Sequence, residues 1–122
     1  MELLQVAQRA TDLTRAIAFY EKLLGRRIDA FFPESGLAFF MLGGTRLMLT
    51  EGAPSAILYF RVDNVVKKTA ELKAEGVTFS VEPNVIFSHA DNSIGLAGTD
   101  EWMAFLTDSE GNTIAIASQQ LQ

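Results

Sequence analysis

One histidine, His89, and the lack of any cysteine bound the chemistry open to this chain. Without cysteine there is no disulfide framework, thiolate metal site, iron–sulfur cluster or cysteine nucleophile. Histidine is the side chain whose ordinary pKa lies nearest neutrality, so His89 is the general acid–base candidate by elimination. A serine nucleophile needs a base and an orienting acid, and Ser88-His89 are sequence neighbours, which does not align a hydroxyl with an imidazole. A metal site would draw on His89, Asp91, Asp100, Glu101 and Glu51, yet no helical spacing fixes two of them together. The bland reading of His89-Ala90-Asp91 is an exposed or substrate-facing loop. Gly43-Gly44 and Gly95/Gly98 neither precede a helix nor carry the lysine of a phosphate loop, and read as turns. A carboxylate pair, Glu82 with Asp91 or Glu101, stays open because nothing in the sequence sets its separation.

The elements that must position these groups follow from periodicity. Leu13, Ala16, Ile17, Tyr20 and Leu24 fall at helical spacing, between an N-cap at Asp12 and a left-handed C-cap at Gly25. A second helix runs from Asp63 to Gly76, with Val65, Val66, Thr69, Ala70 and Leu72 on its apolar side. Strand-like runs cover 3–10, 27–32, 37–42 and 45–50, then 56–62, 77–81, 102–107 and 113–118. Part of the irregular stretch 82–100, Val85–His89, also reads as a strand. The order is β-α-β-β-β twice over, with equal spacing from Asp12 to Gly25 and from Asp63 to Gly76. The fold class is therefore α+β: two βαβββ modules, about 1–52 and 53–122, in a single domain. Their mixed sheets are expected to curve about an open groove, with the helices outside.

Composition narrows the partners. The 122 residues carry ten Lys and Arg against fifteen Asp and Glu, a net charge of −5. Nucleic-acid binding and attachment to anionic membranes are disfavoured, because both need clustered positive charge. The start, Met1-Glu2-Leu3-Leu4-Gln5, lacks the basic and apolar regions of a signal peptide, and no apolar run is long enough to span a bilayer. A soluble, cytoplasmic protein is the expectation.

Asp12-Leu13…Phe19-Tyr20…Leu23-Leu24-Gly25 resembles the helix signature of the vicinal oxygen chelate superfamily, which holds glyoxalases, extradiol dioxygenases and bleomycin-resistance proteins. Gly44-Thr45-Arg46-Leu47-Met48-Leu49, Arg61-Val62-Asp63-Asn64 and Trp102-Met103-Ala104-Phe105…Asp108-Ser109-Glu110-Gly111-Asn112 continue the resemblance in order over nearly the whole chain. The resemblance implies paired βαβββ modules, frequent dimerisation and, in chelating members, one divalent cation held by His, Gln or Glu. By the same resemblance, the four ligand positions fall on Gln5, Met48, Ile57 and Ala115. Gln5 keeps a carbonyl oxygen, Met48 a soft thioether, and Ile57 and Ala115 offer no donor. No metal and no cofactor are expected, although a divalent metal is the alternative.

Strand alternation sets Gln5, Ala7 and Arg9 on one face, Arg46, Met48 and Thr50 on another, Ile57, Tyr59 and Arg61 on a third, and Thr113, Ala115 and Ala117 on a fourth; the resemblance implies that these four sets line one cavity. The expected ligand-binding residues are Gln5, Arg9, Arg46, Met48, Ile57, Tyr59, Trp102 and Ala115, with Phe87 and His89 near the mouth of the cavity. The expected function is metal-independent binding of a small, partly apolar organic molecule in the groove. The alternatives are a metal-dependent lyase, isomerase or dioxygenase, and a dimeric interaction module without ligand. Unpaired sheet edges further predict a two-fold homodimer. Sedimentation should give about twice the chain mass of 13.4 kDa at micromolar concentration; a monomer mass would refute it.

Overall fold

Asp12 lies in extended backbone and accepts the Arg15 N–H at 3.0 Å, satisfying one of the free donors at the start of α1 (Leu13–Leu24). Gly25 ends α1 with φ of 65°, a left-handed conformation that a side chain disfavours. The computed structural model describes residues 3–122. The remaining elements are β1 (Gln5–Arg9), β2 (Ala30–Phe32), β3 (Leu37–Leu42), β4 (Thr45–Thr50), β5 (Leu58–Arg61), α2 (Val65–Ala74), β6 (Phe79–Ser88), β7 (Thr99–Thr107) and β8 (Thr113–Leu121).

These elements build two open, mixed four-stranded sheets, ordered β1-β4-β3-β2 and β5-β8-β7-β6. In each, the strand before the helix pairs in parallel with the last strand of its module, and the other pairings are antiparallel. The chain divides into two compact units. The first holds the described residues up to Ala56 together with Asp108–Asn112; the second holds Ile57–Thr107 and Thr113–Gln122.

In the first unit, α1 buries Ala16, Ile17, Tyr20 and Leu23, and the sheet buries Ala38, Phe40, Leu47 and Leu49. Arg46, Met48 and Thr50 alternate with Leu47 and Leu49 and so take the opposite face, only half-buried. In the second unit, Val65, Thr69 and Leu72 of α2 are buried, as are Ala104, Leu106, Ile114 and Ile116 of the sheet.

The structure corrects three sequence boundaries. α2 starts at Val65 and not at Asp63: the Asn64 side chain caps it by accepting the Lys67 N–H at 3.0 Å, while Asp63 uses its carbonyl for Gln120. About half of the stretch expected to be irregular lies in strands, because β6 runs to Ser88 and β7 starts at Thr99. Pro83 and three register shifts break the alternation there, which an edge strand tolerates because its outer donors need no partner. Finally, β8 continues to Leu121, three residues beyond Ser118.

The first unit is tied together by the turn Asp108–Asn112. Tyr20 donates its hydroxyl to Asp108 Oδ2 at 2.8 Å and receives Gln8 Nε2 at 3.4 Å. Burial, and then the neighbouring Asp108 carboxylate, push the phenol above its ordinary range. Asp108 Oδ1 accepts the N–H groups of Glu110 and Asn112, at 2.8 and 2.7 Å. Glu110 accepts from Arg15 Nε at 2.7 Å and from the Asp12 N–H at 2.8 Å. The Arg15 bond, reinforced by the Asp12, Ser109 and Thr11 donors, holds the Glu110 carboxyl at about 2, against an ordinary 4.5. A depressed carboxylate contributes stability that is present above its unfolded value and is lost as pH falls through its folded value. Acid unfolding should therefore steepen between about pH 4.5 and pH 2. Glu110→Gln should lower stability at neutral pH by about 1–3 kcal/mol and flatten that acid slope, as read by denaturant melts across the same pH range.

Candidate functional site

Each helix covers one face of its sheet, and the other face carries the polar groups set among apolar ones. In the first unit that face joins three of the expected residues. Gln5 and Arg46 are opposite each other in the β1–β4 ladder, and Arg46 Nε donates to Gln5 Oε1 at 3.0 Å. Gln5 Nε2 lies 3.6 Å from the Met48 sulfur. The Arg46 guanidinium stands 5.8 Å from the centre of the Phe39 ring. Among the described residues no carboxylate pairs with it. Phe32, Phe39, Met41 and Arg46 line an apolar depression of about 380 Å³. Arg9 ends β1 with an exposed side chain, while its backbone N–H is taken by Ser55 and its carbonyl by Asn112.

The corresponding face of the second unit holds a larger pocket of about 600 Å³. Tyr59, Arg61, Met103, Ala117, Glu101 and Gln119 line it, because register and alternation set all six on one face. Ile94 and Gly95 close one side. They belong to the loop 89–98, whose ends are tied by the His89 N–H to Thr99 O and the Gly98 N–H to His89 O, both at 2.9 Å. Within the loop, Asp91 accepts both the N–H and the hydroxyl of Ser93, which hold its carboxyl below the ordinary range. The Leu96 N–H donates to Gln119 Oε1 at 3.1 Å.

His89 is not an exposed loop residue: it is only 2% accessible. Its Nε2 meets Glu101 Oε1 at 3.1 Å, and since a carboxylate only accepts, Nε2 carries the hydrogen. The Phe87 ring stands edge-on to the imidazole at 4.9 Å, and Phe87 itself is exposed on β6. Gly95 lies flat on the other side. A Cβ there would collide with the imidazole and come within 2.6 Å of Gln119 Nε2, so only glycine lets the loop pack so closely. The imidazole thus orients Glu101, and it has no open path to a substrate proton.

Three further expected residues are placed otherwise than the sequence suggested. Ala115 leaves no free volume: it is fully buried, with Tyr59 and Phe105 opposite it on either side. Those two rings meet edge-to-face at 6.3 Å, so the small residue accommodates an aromatic pair. Ile57 precedes β5 and is exposed. Trp102 alternates with Glu101 and Met103 and points away from the pocket, lining a depression with Val65, Val66 and Ser118. Sequence reasoning missed Gln119 and Met103. Continuing the alternation Ala115, Ala117 by one step would have found Gln119, but β8 was expected to stop at Ser118. Among the described residues no three His, Asp or Glu side chains are grouped to hold a metal ion.

Two βαβββ units, each with one helix-covered face and one face of apolar residues around a few polar anchors, define a paired-module α+β protein. The sequence matches the Glyoxalase/Bleomycin resistance protein/Dioxygenase superfamily over residues 2–116, and the chain belongs to that superfamily. Its fold is similar to that of lactoylglutathione lyase from Agrobacterium tumefaciens, at 20% identity and TM-score 0.71, covering 96% of this chain and 92% of that one. It is likewise similar to a glyoxalase/bleomycin resistance protein/dioxygenase from Alicyclobacillus acidocaldarius, at 17% identity and TM-score 0.66, covering 97% and 91%. A glyoxalase/bleomycin resistance protein from Albidiferax ferrireducens T118 matches at 22% identity and TM-score 0.65, covering 95% and 98%. At these identities the likeness is one of fold. No curated protein matches the sequence. No helix of the described residues is long and apolar enough to cross a membrane.

The two alanines separate packing from pocket. Ala115→Trp should destabilise the protein by about 1–3 kcal/mol or more through overpacking. Ala117→Trp, in the open pocket, should keep the fold and fill the space. Thermal melts of the two variants check this, and equal losses would contradict the assignment.

Proposed function

We propose that this chain is a metal-independent member of its superfamily that binds a small, partly apolar organic molecule bearing a carboxylate or carbonyl group. The observation that carries this reading is Arg46. It is half-buried and held by Gln5 and Phe39, and among the described residues it forms no ion pair, the Asp29 carboxylate of the same depression being paired with Arg26. A guanidinium placed so presents a planar fork of donors to a ligand oxygen, while Phe32, Phe39, Met41 and Met48 offer apolar and adaptable surface to its body.

The four positions at which the family resemblance puts metal ligands do not fit a chelated cation. The one hard donor among them, Gln5 Oε1, already accepts from Arg46, whose positive charge would repel a metal there. Met48 offers only sulfur, Ile57 only hydrocarbon, and Ala115 lies buried beside two rings. The proposal includes assembly as a homodimer in the cytoplasm.

The test is an amide-shift NMR titration with 1-naphthoate, a flat apolar carboxylate. Saturable shifts at Phe39, Arg46 and Met48 are expected, and Arg46→Met should weaken binding at least about tenfold, or ~1.4 kcal/mol. Protein purified without chelator and gently dialysed should carry only background metal. A stoichiometric divalent ion that is lost in Gln5→Ala would overturn the proposal in favour of a metal-dependent lyase, isomerase or dioxygenase.

A further inference from the structure

The pocket of the second unit carries two opposite charges that the reading above does not use. Arg61 is exposed and, among the described residues, has neither ion pair nor hydrogen-bond partner. Glu101 has a fixed carboxylate. Its Oε1 takes both His89 Nε2 at 3.1 Å and Gln119 Nε2 at 3.3 Å, while Oε2 accepts no hydrogen bond among the described residues. The side chain is only 20% accessible, and both Glu101 and Arg61 line the pocket.

The register sets their separation. Arg61 is opposite Ala117, and Glu101 is opposite Gln119, on the two strands that flank β8. Two strand spacings and a two-residue step put their α-carbons about 12 Å apart on one face. Glu101 cannot swing across that gap, because its tied oxygen keeps it at the end walled by Gly95 and Ile94. Between the two charges lie Ala117 and Met103, with the Tyr59 ring beside them, a floor without charge.

We infer that this pocket binds a zwitterion whose ammonium and carboxylate are separated by a short apolar spacer. The ammonium donates to Glu101 Oε2, the carboxylate accepts from the Arg61 fork, and the spacer crosses Ala117 and Met103. A ligand with one charge would leave the other pocket group desolvated without a partner, so the pair selects for both ends at once. His89 is a positioning residue in this arrangement, since it touches Glu101 and not the ligand. The inference rests on the reading of the chain as a small-molecule binder and adds the ligand class of the second unit.

Amide-shift titrations of the full chain with 6-aminohexanoate, hexylamine and hexanoate test it at low salt. The zwitterion should give saturable shifts at Arg61, Gly95, Ala117 and Gln119, and each single-charge probe should bind at least about tenfold more weakly. Arg61→Met should abolish the advantage over hexylamine, and Glu101→Gln the advantage over hexanoate. Should Glu101→Gln fail to fold through its His89 contact, Arg61→Met decides, because Arg61 holds no other group in place. Equal binding of the three probes, or no saturable shift in this pocket with 6-aminohexanoate, overturns the inference. If 1-naphthoate still shifts Arg46 in that case, only the zwitterion assignment falls; if neither probe binds, the binding role falls with it.

Discussion

A single helix can cover only one face of a four-stranded sheet, and the arrangement of polar groups in this protein follows from that limit. Strand side chains alternate, so every residue packed under α1 or α2 commits its neighbours to the other face. Leu47 and Leu49 beneath the first helix force Arg46 and Met48 outward, where Arg46 meets Gln5 and Phe39. Ile114 and Ile116 in the second unit do the same for Ala115 and Ala117. A one-residue slip of β4 would bury the arginine and expose the leucines, so the register that makes the core also fixes the face that carries Gln5, Arg46 and Met48.

The second structural device is the turn Asp108–Asn112. Asp108 shapes its own turn through two backbone N–H groups and still accepts the buried Tyr20 hydroxyl, 88 residues away in sequence. Glu110 meets the exposed backbone N–H of Asp12 and the side chain of Arg15, so one short segment satisfies donors at the start of α1 that would otherwise need water. Asp12, Tyr20, Asp108 and Glu110, from the motifs that carry the resemblance, are thus physically one cluster. They stabilise the first unit.

The candidate site was legible where it rested on alternation and illegible where it rested on long-range contact. Period alone groups Arg46 with Met48 on β4, and only the parallel β1–β4 register brings Gln5 beside them. Ala115 is expected to bind ligand because its place in the strand order is visible in sequence, whereas the Tyr59–Phe105 pair closing beside it is not. Trp102 is expected at the cavity, but its odd step from Glu101 and Met103 turns it to the helix side. His89 looked exposed because a glycine-rich loop reads as solvated; only the close approach of Gly95 buries it.

The sequence by itself determined what is local and periodic: the caps at Asp12 and Gly25, the Gly43-Gly44 hairpin, the duplicated βαβββ order and the superfamily. The caps, the hairpin and the element order follow from a side chain acting on backbone a few residues away, or from a repeat of two or 3.6 residues, and the superfamily from the resemblance that the motifs carry. Only the tertiary structure decided that β6 pairs through Pro83, that β8 reaches Gln119, and that a buried histidine steadies Glu101 opposite Arg61. Those outcomes join groups as far apart as Tyr59 and Gln119. Their energy comes from contacts that exist once the sheet has formed, and no window of sequence contains both partners.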